Sequence, residues 1–113
     1  MMSKKELLDL MNSMDIAGEN EKFYRFAHNY LFGMKRRGTS DTAEFFEAVK
    51  YCGDNARTKN VQRNMGISGK ETASIGRWCR YILKHKELRK LSAEELRYLF
   101  GCCAHAAKAN ASR

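Results

Sequence analysis

Four times along this chain a residue able to cap a helix stands three positions ahead of a glutamate. The pairs are Ser3 with Glu6, Asp41 with Glu44, Ser68 with Glu71 and Ser92 with Glu95. In such a pair the leading side-chain oxygen accepts from the backbone N–H three residues on, and the glutamate accepts from the cap's own N–H. The Asp41 member is a looser version of the same device. Gly18, Gly38, Gly53 and Gly66 supply stops, because a left-handed residue lets the chain leave a helix. Together these signals predict helices over 4–15, 20–36, 42–52, 56–65, 69–90 and 93–109. Only the Ala-rich tail AHAAKANASR is expected to fray.

Apolar spacing points the same way. Phe23, Phe26, Ala27, Tyr30 and Met34 recur at steps of three and four, and so do Phe45, Val49 and Cys52. Ile75, Trp78, Cys79 and Ile82 form a third stripe, and Leu96, Leu99, Phe100, Cys103 and Ala107 a fourth. The chain has no proline, and its Val, Ile and Thr together number ten, too few to stock a sheet. At 113 residues there is room for one core. The expected fold is all-α: a compact, single-domain bundle of five to six helices spanning 1–113.

Several function classes drop out. No run approaches the ~18–20 apolar residues that a membrane span needs, and the opening MMSKKELLDLMNSMD lacks the features of a signal peptide. A cytoplasmic protein without a membrane partner is expected. The four cysteines, Cys52, Cys79, Cys102 and Cys103, form no C-x-x-C pair, and three of them fall in apolar stripes. In CCAH, Cys102, Cys103 and His105 diverge around a helix and cannot converge on one ion. His28 and His105 project away from the apolar stripes, where solvated histidines are the norm. No nucleophile motif, phosphate loop or carboxylate pair stands out. Neither an enzyme nor a cofactor or metal is expected.

Charge is more informative. The formal net charge is +8, and residues 57–90 alone carry ten positive and two negative side chains, whereas residues 1–20 carry two and four. A focused basic patch draws polyanions, nucleic acid above all. Projection of 69–90 onto a helix puts Ile75, Cys79 and Ile82 on one side. Lys70, Arg77, Arg80 and Lys84 lie opposite, with Tyr81 beside them. Such a row suits phosphates, and the tyrosine can stack on an unpaired base. A solvated helix face over a buried Trp78 produces the same pattern.

The segment TKNVQRNMGISGKETASIGRW, residues 58–78, resembles a helix-turn-helix DNA-binding unit. In that resemblance Val61 and Met65 face inward, Gly66 is the turn glycine, Ile67 the apolar turn residue, Ser68 the cap, and Ile75 the anchor of the second helix. It implies that Lys70, Glu71, Ala73, Ser74 and Arg77 point at DNA. Gln62 stands where a small residue is usual, and Thr72 where an aliphatic one is. A helix, a glycine stop and a capped helix inside a bundle give the same string. In size, basic charge and helical character the chain is also similar to the small helical subunits of CRISPR effector complexes. Those bind nucleic acid along a basic face while docking on larger subunits.

One more residue stands apart. Phe32 falls opposite the core stripe of its helix, flanked by Arg25 and Arg36 and followed by KRRG, a setting for a partner's pocket or a stacked base. The sequence therefore predicts a small basic nucleic-acid-binding protein, DNA ahead of RNA, acting through Lys70, Ser74, Arg77, Arg80, Tyr81 and Lys84. The alternative is a protein-interaction module, a small subunit or inhibitor docking on a larger nucleoprotein complex.

Overall fold

A computed structural model describes residues 2–112, and among them the chain is all-α: six α-helices, three short 3-10 turns and no strand. The helices are α1 Lys4–Asn12, α2 Glu21–Arg36, α3 Thr42–Asp54, α4 Lys59–Met65, α5 Thr72–Lys84 and α6 Ala93–Ala111. The 3-10 turns cover Gly18–Asn20, Gly69–Glu71 and Leu88–Lys90. Reciprocal capping boxes form at Ser3, Ser68 and Ser92. Asp41 caps α3 through the Ala43 N–H at 3.0 Å. A cap outside the expected set, Thr58, accepts from the Val61 N–H and starts α4.

The chain divides into two compact units, Met1–Ser40 with Leu91–Arg113, and Asp41–Lys90. In the first, α2 packs along α6, with α1 and the Gly18–Asn20 turn also against α6. Its core is aromatic: the Phe23 ring meets Phe100 edge-on at 6.3 Å, and Tyr24 lies 6.0 Å from the same ring. The Tyr24 hydroxyl reaches the Asp15 carbonyl at 2.6 Å, so this buried phenol keeps a partner. The buried stripe of α2 is Phe23, Tyr24, Ala27, Leu31 and Met34. It is turned slightly from the expected one, leaving Phe26 and Tyr30 half-buried.

Two expectations are corrected in this unit. The Ala-rich tail is helical as far as Ala111, past the expected end of the helix at 109, and Asn110 donates to the Ile16 carbonyl at 2.7 Å. Gly18 is not a helix stop but a contact point. A Cβ there would stand 2.6 Å from the Ala111 Cα.

In the second unit α3 packs on α5 and α4 joins them. Of the expected stripes, Phe45, Val49, Cys52, Ile75, Cys79 and Ile82 are buried, and Trp78 alone is only half-buried. Gly53 was expected to end α3, yet the helix runs through it to Asp54. The glycine is there because α5 comes so close. The fifth helix is also shorter than the expected 69–90. Residues 69–71 form a 3-10 turn, and α5 ends at Lys84 with His85 extended at φ −78°, ψ 103°. The Leu88 N–H then donates to His85 Nδ1, and Leu88 turns inward to full burial. Burial of that leucine, rather than a glycine, breaks the helix.

Candidate nucleic-acid interface

The α5 helix is split lengthwise. Thr72, Ile75, Gly76, Cys79 and Ile82 are buried, while Ala73, Arg77, Arg80, Tyr81 and Lys84 are exposed. Ser74 and Trp78 lie half-buried at the boundary. Of the residues expected to contact nucleic acid, Arg77, Arg80, Tyr81 and Lys84 thus share the solvent face, and Ser74 borders it. Lys70 is exposed too, but on the 3-10 turn that precedes the helix. Tyr81 is not a free platform: its ring stacks on Trp78 at 4.5 Å and 14°, and His85 meets it edge-on at 5.6 Å. Trp78, expected in the core, is half-buried under that tyrosine because it sits at the edge of the apolar stripe.

The turn before α5 has the geometry that its sequence implies. Gly66 ends α4 in the left-handed region at φ 69°, ψ 32°, and the Ile67 N–H bonds back to the Gln62 carbonyl at 3.0 Å. Val61, Met65, Ile67 and Ile75 are buried. Thr72 is buried, and its hydroxyl donates to the Gly69 carbonyl. Gln62 is half-buried, and its amide donates to the Arg57 carbonyl at 3.1 Å.

Beside this face lies a polar cleft of about 370 Å3 that sequence reasoning missed. Its walls come from the end of α3, the 55–58 loop and the first turns of α5, with Arg57, Arg77, Arg80 and Asp54 as its charged groups. These residues are distant in sequence, and only the crossing of α3 and α5 brings them together. Among the described residues none of the three arginines is ion-paired. Asp54 is held by Lys50 at 3.0 Å.

The second expected contact region, around Phe32, belongs to the other unit. Phe32 is 37% exposed and lines an apolar groove of about 700 Å3 with Leu8, Met11, Tyr98, Cys102 and neighbours. The cation over its ring is Arg97, at 5.8 Å, and not either of the expected arginines. Arg25 pairs with Glu21 at 3.4 Å, and Arg36 is exposed at the end of α2. His28, expected to be solvated, packs edge-on to Phe32 at 4.8 Å in the same groove, which His105 also lines. Burial, with help from the Arg97 charge, pushes the His28 pKa below its ordinary value. Gly101 makes that packing possible, since a Cβ there would stand 2.9 Å from His28 Nε2.

The four cysteines are free thiols. Among the described residues no group of three or more His, Cys, Asp or Glu is placed to hold a metal ion, and no helix is long and apolar enough to cross a membrane. Comparison with protein-family models, with curated proteins and with solved structures gives no match.

Proposed function

We propose that the Asp41–Lys90 unit binds nucleic acid, duplex DNA ahead of RNA, through the solvent face of α5. The observation that carries this reading is the row Arg77, Arg80 and Lys84, exposed opposite the buried face of α5. Cations held on a rigid helix without ion partners are free to replace the counterions of a phosphate backbone. In the helix-turn-helix form of the reading, Ser74 and Arg77 reach base edges while Lys70, Arg80 and Lys84 hold phosphates, and Tyr81 flanks them. The role is binding rather than catalysis, in the cytoplasm, where the free thiols Cys52, Cys79, Cys102 and Cys103 remain reduced.

The decisive variant changes Arg77, Arg80 and Lys84 to Gln. Electrophoretic shifts with duplex DNA, single-stranded DNA and RNA at two salt concentrations are expected to show weaker binding. The slope of log affinity against log salt becomes shallower by roughly two to three if all three side chains meet duplex phosphates. Unchanged binding at both salts removes the α5 face from consideration.

The apolar groove favours a second reading, a module that docks on a larger protein or nucleoprotein complex. Phe32 and Leu8 are exposed apolar side chains on its rim, and contiguous apolar surface of this kind marks interaction sites. Under this reading Phe32→Asp abolishes capture of the partner complex and leaves direct nucleic-acid binding unchanged.

A further inference from the structure

The cleft between the end of α3 and α5 has its own chemistry. Arg57, Arg77 and Arg80 enter it from two separate segments, and its one carboxylate, Asp54, is already neutralised by Lys50. The loop carrying Arg57 is fixed by hydrogen bonds on both sides. Asn55 Nδ2 donates to the Tyr51 carbonyl at 2.9 Å, and the Thr58 hydroxyl donates to the Asn55 carbonyl at 2.8 Å. The Arg57 carbonyl itself accepts from Gln62. Arg80 is folded back along its helix: its Nη1 lies 3.5 Å from where a Cβ on Gly76 would stand. Gly76 and Ala73, with little or no side chain, also line the cleft.

We propose that this cleft seats a single phosphoryl group, held by Arg57, Arg77 and Arg80. Three cationic forks with several N–H donors each match a tetrahedral oxyanion, which offers acceptors in more than one plane. A space of about 370 Å3 takes a phosphate with its attached sugar. The proposal rests on the α5 interface described above and adds Arg57 to it. The same chemistry has two sources, an internal phosphodiester and a terminal phosphate monoester.

The test titrates inorganic phosphate into the full 15N-labelled chain at constant ionic strength and follows the arginine Nε–Hε signals. The expected result is a joint shift of Arg57, Arg77 and Arg80 while Arg63, exposed on α4, stays in place. Equal shifts at every exposed arginine overturn the proposal. Arg57→Gln is expected to weaken duplex binding roughly tenfold at low salt. It leaves the fold intact, because the loop is held through backbone and through other side chains.

Duplexes with and without 5′-phosphates separate the sources. A tenfold preference for phosphorylated ends assigns the cleft to a terminal monoester, and equal binding assigns it to the internal backbone. If the triple α5 variant loses nucleic acid while Arg57→Gln does not, the cleft proposal fails and the interface stands. If nothing binds nucleic acid yet phosphate still moves the three arginines, the interface fails and the anion site stands.

Discussion

Gly53 of α3 lies directly against Cys79 of α5: a Cβ at position 53 would stand 2.8 Å from the Cys79 Cβ. Neither helix can retreat cheaply, because Val49, Cys52, Ile75 and Ile82 around the crossing are buried. The crossing sets the floor of the arginine cleft and the angle at which α5 shows its basic face.

Two alanine substitutions test that closeness. Gly33→Ala, in α2, meets nothing within 4 Å and should stabilise the protein by up to ~1 kcal/mol through helix propensity. Gly53→Ala has the same propensity gain but forces the crossing apart, and overpacking costs about 1–3 kcal/mol. A net loss of up to about 2 kcal/mol is expected in urea denaturation. Equal stabilisation by both alanines would show that the contact yields.

Stability should depend on pH through His28. Its folded-state pKa lies below the ordinary 6.5, chiefly from burial and secondly from Arg97. The unfolded chain therefore takes up the proton first. The contribution is fully present above pH 6.5 and is lost as pH falls through the lowered folded value. The difference in unfolding free energy between parent and His28→Gln should shrink from pH 7.5 to pH 5. A constant difference would mean that His28 titrates as it does in water.

The cysteines should separate by reactivity. Burial raises the thiol of Cys52 to about 11, and those of Cys79 and Cys103 to about 12, so each stays protonated and covered near pH 8. Iodoacetamide on the native protein should label Cys102, which is half-buried, and spare the other three until urea is added. Mass spectrometry counts the labels. Because the three thiols are core residues, EDTA and reductant should leave the circular dichroism unchanged.

Arg77→Ala separates two ways of using the α5 face. A side chain that reads a base edge discriminates by ~1–3 kcal/mol, so its loss should flatten preferences among duplex sequences. A side chain that only holds phosphate should weaken all sequences alike. A selection from randomised duplexes, run on parent and variant, tells them apart.

What could be read from the chain was what is local. Capping pairs at Ser3, Ser68 and Ser92 and the stripes of α3 and α6 are short-range signals that the structure carries unchanged, and the α5 stripe keeps all but Trp78. Gly53 shows the limit. A glycine late in a helical pattern reads as a stop, and only the partner helix reveals that it serves a close approach. The end of α5 was illegible for a related reason, since it depends on where Leu88 finds burial and not on a breaker residue. The same holds for the sites. The basic row of α5 follows from helical spacing alone. The Arg57 wall of the cleft, and the meeting of His28, Phe32 and Arg97, are tertiary events between residues far apart in sequence.

The division of the chain also sets an order of synthesis. Phe23 and Tyr24 rest on Phe100, yet all of Asp41–Lys90 is synthesised between them. At ~5–20 residues per second, the apolar side of α2 leaves the ribosome on the order of 4–15 s before its cover exists. The inserted unit has every helix that it needs by residue 90, so it can close first. Only over the stretch from Lys90 to Phe100, about 0.5–2 s at the same rate, does the nascent chain hold the whole basic unit together with an aromatic surface still uncovered. While that surface stays uncovered the protein is most exposed to aggregation and most dependent on whatever shields new chains.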